Sequence, residues 1–466
     1  MRHTFLAVAA ALILAAPCAG AVVVLNPVDT IYVPARSIAV TGTQSRDLVG
    51  IIYSRDNLYF NEPGAPRFLF FDKEGKIAFG IGGSVKGTAH YDFNGAIGEG
   101  PDFTTYDIPV PADPANRQAL GADLSHSSIY LRLVGRTTRF GYYSAFLQTN
   151  FTGDAPGKYG FLLKQAYMTL GPWLGGLTNS TFVDVAAAPP TIEEEGPCGQ
   201  LSVKQIMVRY APRLNDHWSL GVALEIPKNT FTTNSHNERI AQRVPDIPAY
   251  VQYRWGGGNS HVRLSGLVRT MSYRNLLEQK NHFANGWGAQ LSGMAELVVG
   301  GAAATSTNPG LTLMYQAAYG AGISSYVNDL GGNGLDLISP DGDSGRMTAP
   351  HSLGLLGGLQ YDWGKLTVSG SWSLCRLYDQ GDMGPTTYKY ANYVTANVFY
   401  NPLSDFQVGP TASRFSPNIR SETFFRKFNI TNKFCGCYNC RLNPGLSHSA
   451  QSTAMTGART GAFSKG

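Results

Sequence analysis

The lengths of the connections between the extended segments of this chain constrain its fold more than any other feature. Alternating residues mark fourteen segments, near 76–91, 127–134, 139–150, 161–170, 173–182, 203–211, 217–226, 249–256, 261–272, 286–300, 310–324, 351–361, 365–377 and 388–400. Every second connection is short, at 135–138, 171–172, 212–216, 256–260, 301–309, 362–364 and 401–404. The intervening connections are mostly longer, at 92–126, 151–160, 183–202, 227–248, 273–285, 325–350 and 378–387. Outer-membrane β-barrels have short turns at one end and long loops at the other, whereas a soluble sandwich or propeller has no reason to sort its loops by length.

The residues within each segment agree with this interpretation. Ile77, Phe79 and Ile81 fall on one face of the first segment, and Lys86 and Thr88 fall on the other. Since successive side chains of a strand point to opposite sides, the segment has an apolar surface and a wet one. The pattern predicts an all-β fold, a transmembrane antiparallel β-barrel with short periplasmic turns and long extracellular loops.

The strand count and the domain limits follow from where the alternation begins and ends. A fifteenth segment starts at 405–408, and the alternation stops at Pro410. Bacterial single-chain barrels have an even strand number, so we expect about 16 strands, although only 14 or 15 are legible. We predict a signal peptide at 1–21, a pre-barrel periplasmic segment at 22–75, the barrel at 76–409, and an aberrant or disordered tail at 411–466. Without its last strands the barrel would have an open edge in lipid, which is costly.

The beginning of the chain has the pattern of an export signal. Arg2 and His3 precede an apolar stretch at 5–16, and Ala19-Gly20-Ala21 forms a small-residue cleavage site. Cys18 would suit a lipoprotein site, but Pro17 before it does not. No other run of 18 apolar residues occurs, which excludes a helical membrane protein. We therefore expect export to the outer membrane of a Gram-negative bacterium.

The charged residues are unevenly placed. The tail after residue 410 holds 8 of the 37 Lys and Arg residues but only 1 of the 32 Asp and Glu residues, so the rest of the chain is slightly acidic. The overall charge of +5 therefore gives no argument for nucleic-acid binding.

Catalytic, cofactor and metal sites are not predicted. Cys198 and Cys375 are isolated, whereas Cys435, Cys437 and Cys440 form a C-x-C-x-x-C group. Three thiols at this spacing could hold a metal ion, with His448 as a distant fourth ligand, but we expect none there. Ser84 and His90 have no third partner for catalysis, so we expect no enzyme activity and no cofactor.

Several stretches of the chain resemble the DcaP-like porins, which are trimeric outer-membrane channels associated with dicarboxylates and other small anions. The resemblance lies in residues 55–82, 106–111, 163–167, 180–182, 196–199, 286–293, 318–323 and 393–403. It spans residues 45–409, with Asn179 where the family commonly has Trp and Cys198 where it commonly has Asn. Some family members also carry a coiled coil before the barrel, which this chain lacks. The resemblance implies a homotrimer in outer-membrane lipid that passes small anionic solutes.

The resemblance and the barrel pattern together predict a porin for passive diffusion. We expect a water-filled lumen, narrowed by the third long loop at 183–202, that favours dicarboxylate-like anions. A general or sugar-preferring channel is the alternative, and a secreted or surface β-rich binding protein is the alternative of another class.

The wet faces of the strands supply the candidate selectivity residues. Charged groups along a narrow, partly desolvated path select ions, and arginine binds carboxylates with its planar fork. The predicted pore-lining cations are Arg132, Lys164, Arg209, Arg254, Arg263 and Arg269. The predicted constriction loop contributes Asp184, Glu193, Glu194 and Glu195, whose carboxylates would face the cations; a solvated loop is the alternative.

Aromatic residues near strand ends predict interfacial girdles, with sugar-stacking platforms in the lumen as the alternative. The residues concerned are Tyr142, Tyr143, Tyr167, Trp173, Tyr210, Trp218, Tyr253, Trp255, Tyr361 and Trp363.

Overall fold

Strands make up most of the structure. The computed structural model describes residues 22–25, 68–72, 76–93, 104–108, 115, 118–154, 158–298, 309–384, 387–403, 406–419 and 431–441. The strands are, in chain order, β1 (Val22–Leu25), β2 (Phe68–Phe71), β3 (Ile77–Asp92), β4 (Ala119–Asp123), β5 (Ser128–Thr137), β6 (Gly141–Asn150), β7 (Leu162–Leu170), β8 (Trp173–Asn179), β9 (Lys204–Tyr210), β10 (Trp218–Glu225), β11 (Phe231–Thr232), β12 (Asn237–Arg239), β13 (Ile247–Trp255), β14 (Ser260–Asn275), β15 (Lys280–Val298), β16 (Gly310–Ala321), β17 (Leu337–Ile338), β18 (His351–Trp363), β19 (Leu366–Leu377), β20 (Tyr388–Leu403), β21 (Phe406–Ile419) and β22 (Thr431–Arg441). Short 3-10 helices lie at Val185–Ala187, Gly256–Gly258, Ser324–Tyr326 and Asn328–Leu330. None of the helices within these ranges is long and apolar enough to cross a membrane.

The sheet closes on itself as an antiparallel barrel. Each barrel strand pairs with the next, and β22 pairs back with β3, for example Cys437 with Thr88. The strands of the closed ring are β3, β5, β6, β7, β8, β9, β10, β13, β14, β15, β16, β18, β19, β20, β21 and β22. This confirms the predicted barrel and its expected strand number. Closure leaves the backbone of every barrel strand paired on both sides, as a lipid environment requires.

The end of the barrel corrects one prediction. The sequence indicated no strand after Gly409, yet β21 continues to Ile419 and β22 follows at Thr431–Arg441. Thr411 and Ser413 are buried on the inner side of β21, where their hydroxyls lie 3.2 and 3.0 Å from the hydroxyl of Thr395. The exposed face of β21 carries Pro410, Ala412 and Arg414 instead of large apolar residues, so β21 lacks the apolar alternation by which strands are recognised.

The first residues before the barrel join the same sheet. β2 pairs with β3 from Phe68↔Ile81 to Phe71↔Ala78, and β1 pairs with β2. One edge of β3 is therefore shared by two strands. Residues 78–81 pair with β2, and residues 84–92 pair with β22. The predicted signal peptide at 1–21 and the end of the predicted tail at 442–466 lie outside the described residues.

The connections are sorted by length, as predicted, with one difference. Residues 171–172 and 364–365 are tight turns at one end, whereas 180–203 and 322–350 are long loops at the other. The predicted loop at 273–285 is mostly strand, because β14 and β15 extend to a hairpin in which Asn275 pairs with Lys280. We call the two ends of the barrel the short-turn end and the long-loop end.

The two faces of the barrel differ as a membrane requires. Large apolar side chains such as Val208, Leu264 and Val268 are exposed on the outer surface, whereas Arg209 and Arg263 are buried inside. Exposed aromatic residues gather at the short-turn end, where Trp173 and Tyr210 have ring centroids 4.7 Å apart. Tyr167 was predicted among them but points inward, where its ring lies 5.4 Å from that of Phe146.

The interior at the long-loop end contains a hydrophobic core. Phe182 and Leu201 of one inward loop pack with Tyr326, Val327 and Leu330 of another, and all are fully buried. The barrel is therefore partly filled by its own loops, and the positions of these loops determine what space remains.

Candidate functional site

The loop at 183–202 crosses the bore from one wall to the opposite one. It leaves β8 and returns to β9, while its backbone at Gly199 lies against β18 and β19, about half the ring away. A Cβ atom added to Gly199 would lie 2.2 Å from the carbonyl oxygen of Leu374, which shows how closely the two backbones approach. Glycine permits this contact because it has no side chain.

Asp184 fixes the near end of the loop to β14 and β15. Its Oδ2 atom lies 2.9 Å from Nε2 of His261 and accepts a hydrogen bond of 2.6 Å from Ser292, and Arg263 lies 4.0 Å from Oδ1. Burial raises the pKa of Asp184, but the hydrogen bond and charge of His261, with Arg263 and Ser292, outweigh it and lower this pKa to about 2. The carboxylate is therefore charged at neutral pH and stabilises the inward position of the loop.

Two of the predicted pore-lining cations hold the base of the loop. The Arg209 Nε atom donates to Oγ1 of Thr181 at 2.8 Å, and the Arg263 Nη2 atom donates to the carbonyl oxygen of the same residue at 2.6 Å. Glu225 accepts hydrogen bonds of 2.7 Å from the Ser180 hydroxyl and from the Thr181 amide. These side chains face inward, as the alternation predicted, but they bind the loop as well as lining the wall.

Arg269 serves another loop. It is 1% exposed and lies 3.2 Å from Asp246 and 3.1 Å from Asp336, and it also donates to Asn229 and to the carbonyl oxygen of Gly322. Breaking the ion pairs of a buried arginine with two carboxylates costs much free energy, since removal of one partner leaves a buried charge. Arg132 and Arg254 are likewise buried on the inner wall.

The acidic run of the loop is divided between two environments. Glu193 is 3% exposed and accepts a 3.0 Å hydrogen bond from the Tyr393 hydroxyl. Glu194 forms an ion pair with Lys86 and lies 3.2 Å from Nδ1 of His126. Glu195 borders the open space beside the loop. Two of the three predicted carboxylates thus line a cavity, and one is used to attach the loop to β20.

A cavity of about 950 Å³ lies between the loop and the barrel wall. Its lining includes Asn150 and Lys204 at the long-loop end and Gln360 and Gln407 at the short-turn end. A cavity with lining residues near both ends of the strands has the position of a passage through the barrel. Its volume is in the range of small-molecule sites, roughly 300–1,000 Å³.

Lysines, not arginines, line this cavity. Among the six predicted cations, Lys164 borders it, together with Lys86 and Lys204, which were not predicted as site residues. Lys164 is the extra residue of a β-bulge, because Gln165 pairs with Gln148 while Leu163 pairs with Thr149. Bulges redirect side chains, and here the bulge turns Lys164 toward the cavity. Lys204 lies within electrostatic range of Lys164 and Lys228.

The closed antiparallel barrel, with its apolar outer surface and inward loop, defines the chain as an outer-membrane β-barrel channel. The model of the DcaP outer membrane protein family matches residues 71–299. Over this stretch the chain resembles the DcaP family, and the match supports a location in the outer membrane.

One solved structure shows the same fold, and two others are more distantly similar. The crystal structure of the outer membrane channel DcaP of Acinetobacter baumannii superposes with a TM-score of 0.66 at 17% identity, covering 80% of this chain and 99% of that chain. OmpT of Vibrio cholerae gives 0.48 at 10% identity, covering 78% and 98%. An anion-selective porin from Comamonas acidovorans gives 0.45 at 11% identity, covering 78% and 100%. No curated protein sequence matches the chain.

Proposed function

We propose that the protein is a porin for the passive diffusion of small anions, with dicarboxylate-like solutes as the favoured class. The observation that carries this proposal is the cavity beside loop 183–202, whose lining holds three lysines, Lys86, Lys164 and Lys204. A path of this kind attracts anions because fixed charges act more strongly in a narrow, partly desolvated space than in bulk water.

The charges stand on two sides of the passage. Lys164 and Lys204 come from neighbouring parts of the wall, on β7 and β9, whereas Glu194 and Glu195 come from the loop. Lys86 forms an ion pair with Glu194 across this space, and Lys164 and Lys204 add two further positive charges to the same lining. A solute with two carboxylates suits two lysines in one mouth, since each carboxylate can approach one ammonium group.

The arginines act on this passage from behind the loop. Arg209 and Arg263 hold residue 181, and Arg269 holds the loop that packs on residues 200–202. We propose that Arg132, Arg209, Arg254, Arg263 and Arg269 add long-range positive potential while their contacts set the width of the passage. Loop 183–202 is then the constriction.

The assembly and the route to the membrane complete the proposal. We infer a homotrimer in outer-membrane lipid, as in the porins that the chain resembles, reached after cleavage of the predicted signal peptide at 1–21. Chemical cross-linking of outer-membrane vesicles, followed by gel electrophoresis, would give a trimer band; a band of the monomer alone would refute the trimer.

The decisive experiment is a reversal-potential measurement in planar bilayers under a KCl gradient. We expect an anion preference that falls when Lys164 and Lys204 are replaced by Gln, and that rises when Glu194 and Glu195 are replaced by Gln. A unit charge about 7 Å from the ion contributes about 0.6 kcal/mol in water, or roughly threefold in the permeability ratio for each lysine.

The matched control is Lys280→Gln, because Lys280 is an exposed lysine at the long-loop end that does not line the cavity. Competition between chloride and succinate then tests the solute class. Equal permeability for both ions in the wild type would establish a general diffusion channel instead. An absence of conductance in the folded protein would refute the transport function.

A further inference from the structure

Two cysteines that are far apart in the sequence meet inside the barrel. Cys198 lies on loop 183–202 and Cys375 lies on β19, and both are fully buried. Their Sγ atoms lie within 4.8 Å of each other and of a carboxylate oxygen of Asp329. The two thiols therefore face each other across the contact between the loop and the wall.

The backbones beside the two cysteines are also in contact. An added Cβ at Gly199 would lie 2.2 Å from the oxygen of Leu374 and 2.6 Å from that of Leu355, and the Gly199 amide donates to Ser373 Oγ at 3.3 Å. A disulfide requires Cα atoms roughly 4.4–6.8 Å apart with converging side chains. The close approach of the two backbones one residue away from each cysteine, with the two Sγ atoms within 4.8 Å, favours this geometry.

We propose that Cys198 and Cys375 form a disulfide that ties loop 183–202 to the barrel wall. Two S–H bonds break and one S–S bond forms, while two protons and two electrons pass to a protein disulfide of a periplasmic thiol oxidase, which is reduced to two thiols. Proteins destined for the outer membrane pass through this oxidising compartment. Because both sulfur atoms are buried in the folded chain, the exchange takes place before the loop closes on the wall.

The same cluster has the ligand atoms of a metal site, but its charges disfavour one. Asp329 Oδ2 accepts a 2.7 Å hydrogen bond from the Thr105 amide, and Oδ1 has no hydrogen-bond partner in the described residues. Two thiolates and a carboxylate around a divalent ion would leave a net negative charge among buried groups, which is costly. Burial raises the pKa of Asp329 to about 7, which indicates that negative charge is disfavoured in this cluster.

The bond would complete the attachment of the loop. Asp184 fixes the near end at β14 and β15, and the disulfide would fix the far end at β19. Glu194 and Glu195 lie between these two attachments. A loop held at both ends keeps its carboxylates at a constant distance from the opposite lysines, which fixes the width of the passage.

The bond is tested on the full chain, isolated from outer membranes, with Cys435, Cys437 and Cys440 replaced by Ser so that two cysteines remain beyond the predicted signal peptide. The protein is unfolded with excess N-ethylmaleimide without reductant, and its mass is measured. We expect no alkylated thiol before reduction, two after reduction, and a linked pair of peptides that contain residues 198 and 375. Two alkylated thiols before reduction would overturn the proposal, as would one equivalent of bound metal by elemental analysis that is lost in Cys198→Ser. Peptide mapping of the wild type must give the same linked pair.

The tethering role has its own readout, which does not depend on conduction. Hydrogen exchange in residues 194–200, measured without reductant, should be at least tenfold faster in the Cys198→Ser/Cys375→Ser variant than in this background. The double variant replaces each thiol with a group of similar size, so the barrel should still migrate as a heat-modifiable band. Equal exchange in the two proteins would refute the tether even if the bond is present.

Discussion

Replacement of Asp184 by Asn should release the near end of loop 183–202 without disturbing the barrel. The substitution keeps the shape of the side chain and removes its charge. The oxygen of the new side-chain amide can still accept the hydrogen bonds from His261 and Ser292, but the side chain no longer attracts the Arg263 guanidinium, which lies 4.0 Å from the carboxylate in the wild type. The change therefore isolates the electrostatic part of the attachment.

The magnitude follows from the pKa of the carboxyl group. The ordinary value for aspartate is 3.8, and the contacts of Asp184 lower its pKa to about 2. Since a tenfold change in proton affinity corresponds to about 1.4 kcal/mol, the charged form contributes about 2 kcal/mol to the inward position of the loop at neutral pH. The contribution is complete above the unfolded-state pKa of about 4, and is lost as the pH falls through about 2.

Hydrogen exchange followed by mass spectrometry measures this free energy locally. The amide of Ser202 donates to the carbonyl oxygen of Tyr326, and that of Val183 donates to Ser180, so both exchange only when the loop opens. We expect peptides from 180–203 to exchange roughly thirtyfold faster in Asp184→Asn at pH 7, since about 2 kcal/mol corresponds to that factor. At low pH, after correction for intrinsic rates, the wild type should approach the variant.

Asp216→Asn is the control, because Asp216 is an exposed carboxylate in the turn at 211–217. It should leave exchange in the loop unchanged. The reasoning would be refuted if wild type and Asp184→Asn exchange at the same rate at pH 7. It would also be refuted if the difference between them persists undiminished below pH 2.

Three further predictions follow from the buried groups of the interior. Burial raises the pKa of Asp329 to about 7, so ionisation of this group destabilises the fold as the pH rises from about 4 through 7. Asp329→Asn should therefore raise the thermal midpoint of unfolding at pH 8 but not at pH 4. Arg269→Met should lower the free energy of unfolding by about 3–5 kcal/mol, since it leaves Asp246 and Asp336 buried without their cation. The heat-modifiable band should then be lost at a lower temperature. The added substitutions Asp246→Asn and Asp336→Asn should recover part of this stability. Gly199→Ala should displace the loop and change single-channel conductance, because its Cβ would meet Leu374, whereas Gly357→Ala, with no atom within 4 Å of its Cβ, should conduct as the wild type does.

Much of the fold can be predicted from the sequence because a barrel strand has two different solvents on its two faces. Apolar and charged residues alternate as lipid and lumen require. The structure exposes Val208 and Leu264 and buries their neighbours Arg209 and Arg263. The sorted connections then determine which ends of the strands lie together. Both signals are local, so they can be read without knowledge of the partner strands.

The last strands could not be predicted in this way. The inner face of β21 presents Thr411 and Ser413, whose hydroxyls hydrogen-bond with Thr395, and its backbone pairs with β20 and β22. β21 is therefore held by backbone hydrogen bonds, which do not depend on the side chains. Side-chain polarity does not reveal such a strand. Cys435, Cys437 and Cys440, considered as a metal site, lie in β22.

The candidate site was predicted only in part, since it depends on contacts across the bore. The alternation identified the inward arginines, but not that Arg209 and Arg263 bind residue 181. Lys204 has the parity of an outward residue on β9, yet it borders the cavity because it is the first residue after the loop. Cys198 and Cys375 looked isolated, because no spacing rule connects a loop with a wall strand.

The divided edge of β3 gives the barrel a distinctive point of closure. One portion of that edge is completed by β22, near the end of the chain, and the other by β2, which is synthesised before any barrel strand. Insertion into the bilayer must therefore finish at a junction of three pieces, where the early ribbon formed by β1 and β2 occupies part of the position that a full-length final strand would take. Loss of residues 68–71 should leave unpaired peptide groups at that junction. A segment that is synthesised before the barrel therefore helps the last strand to close it.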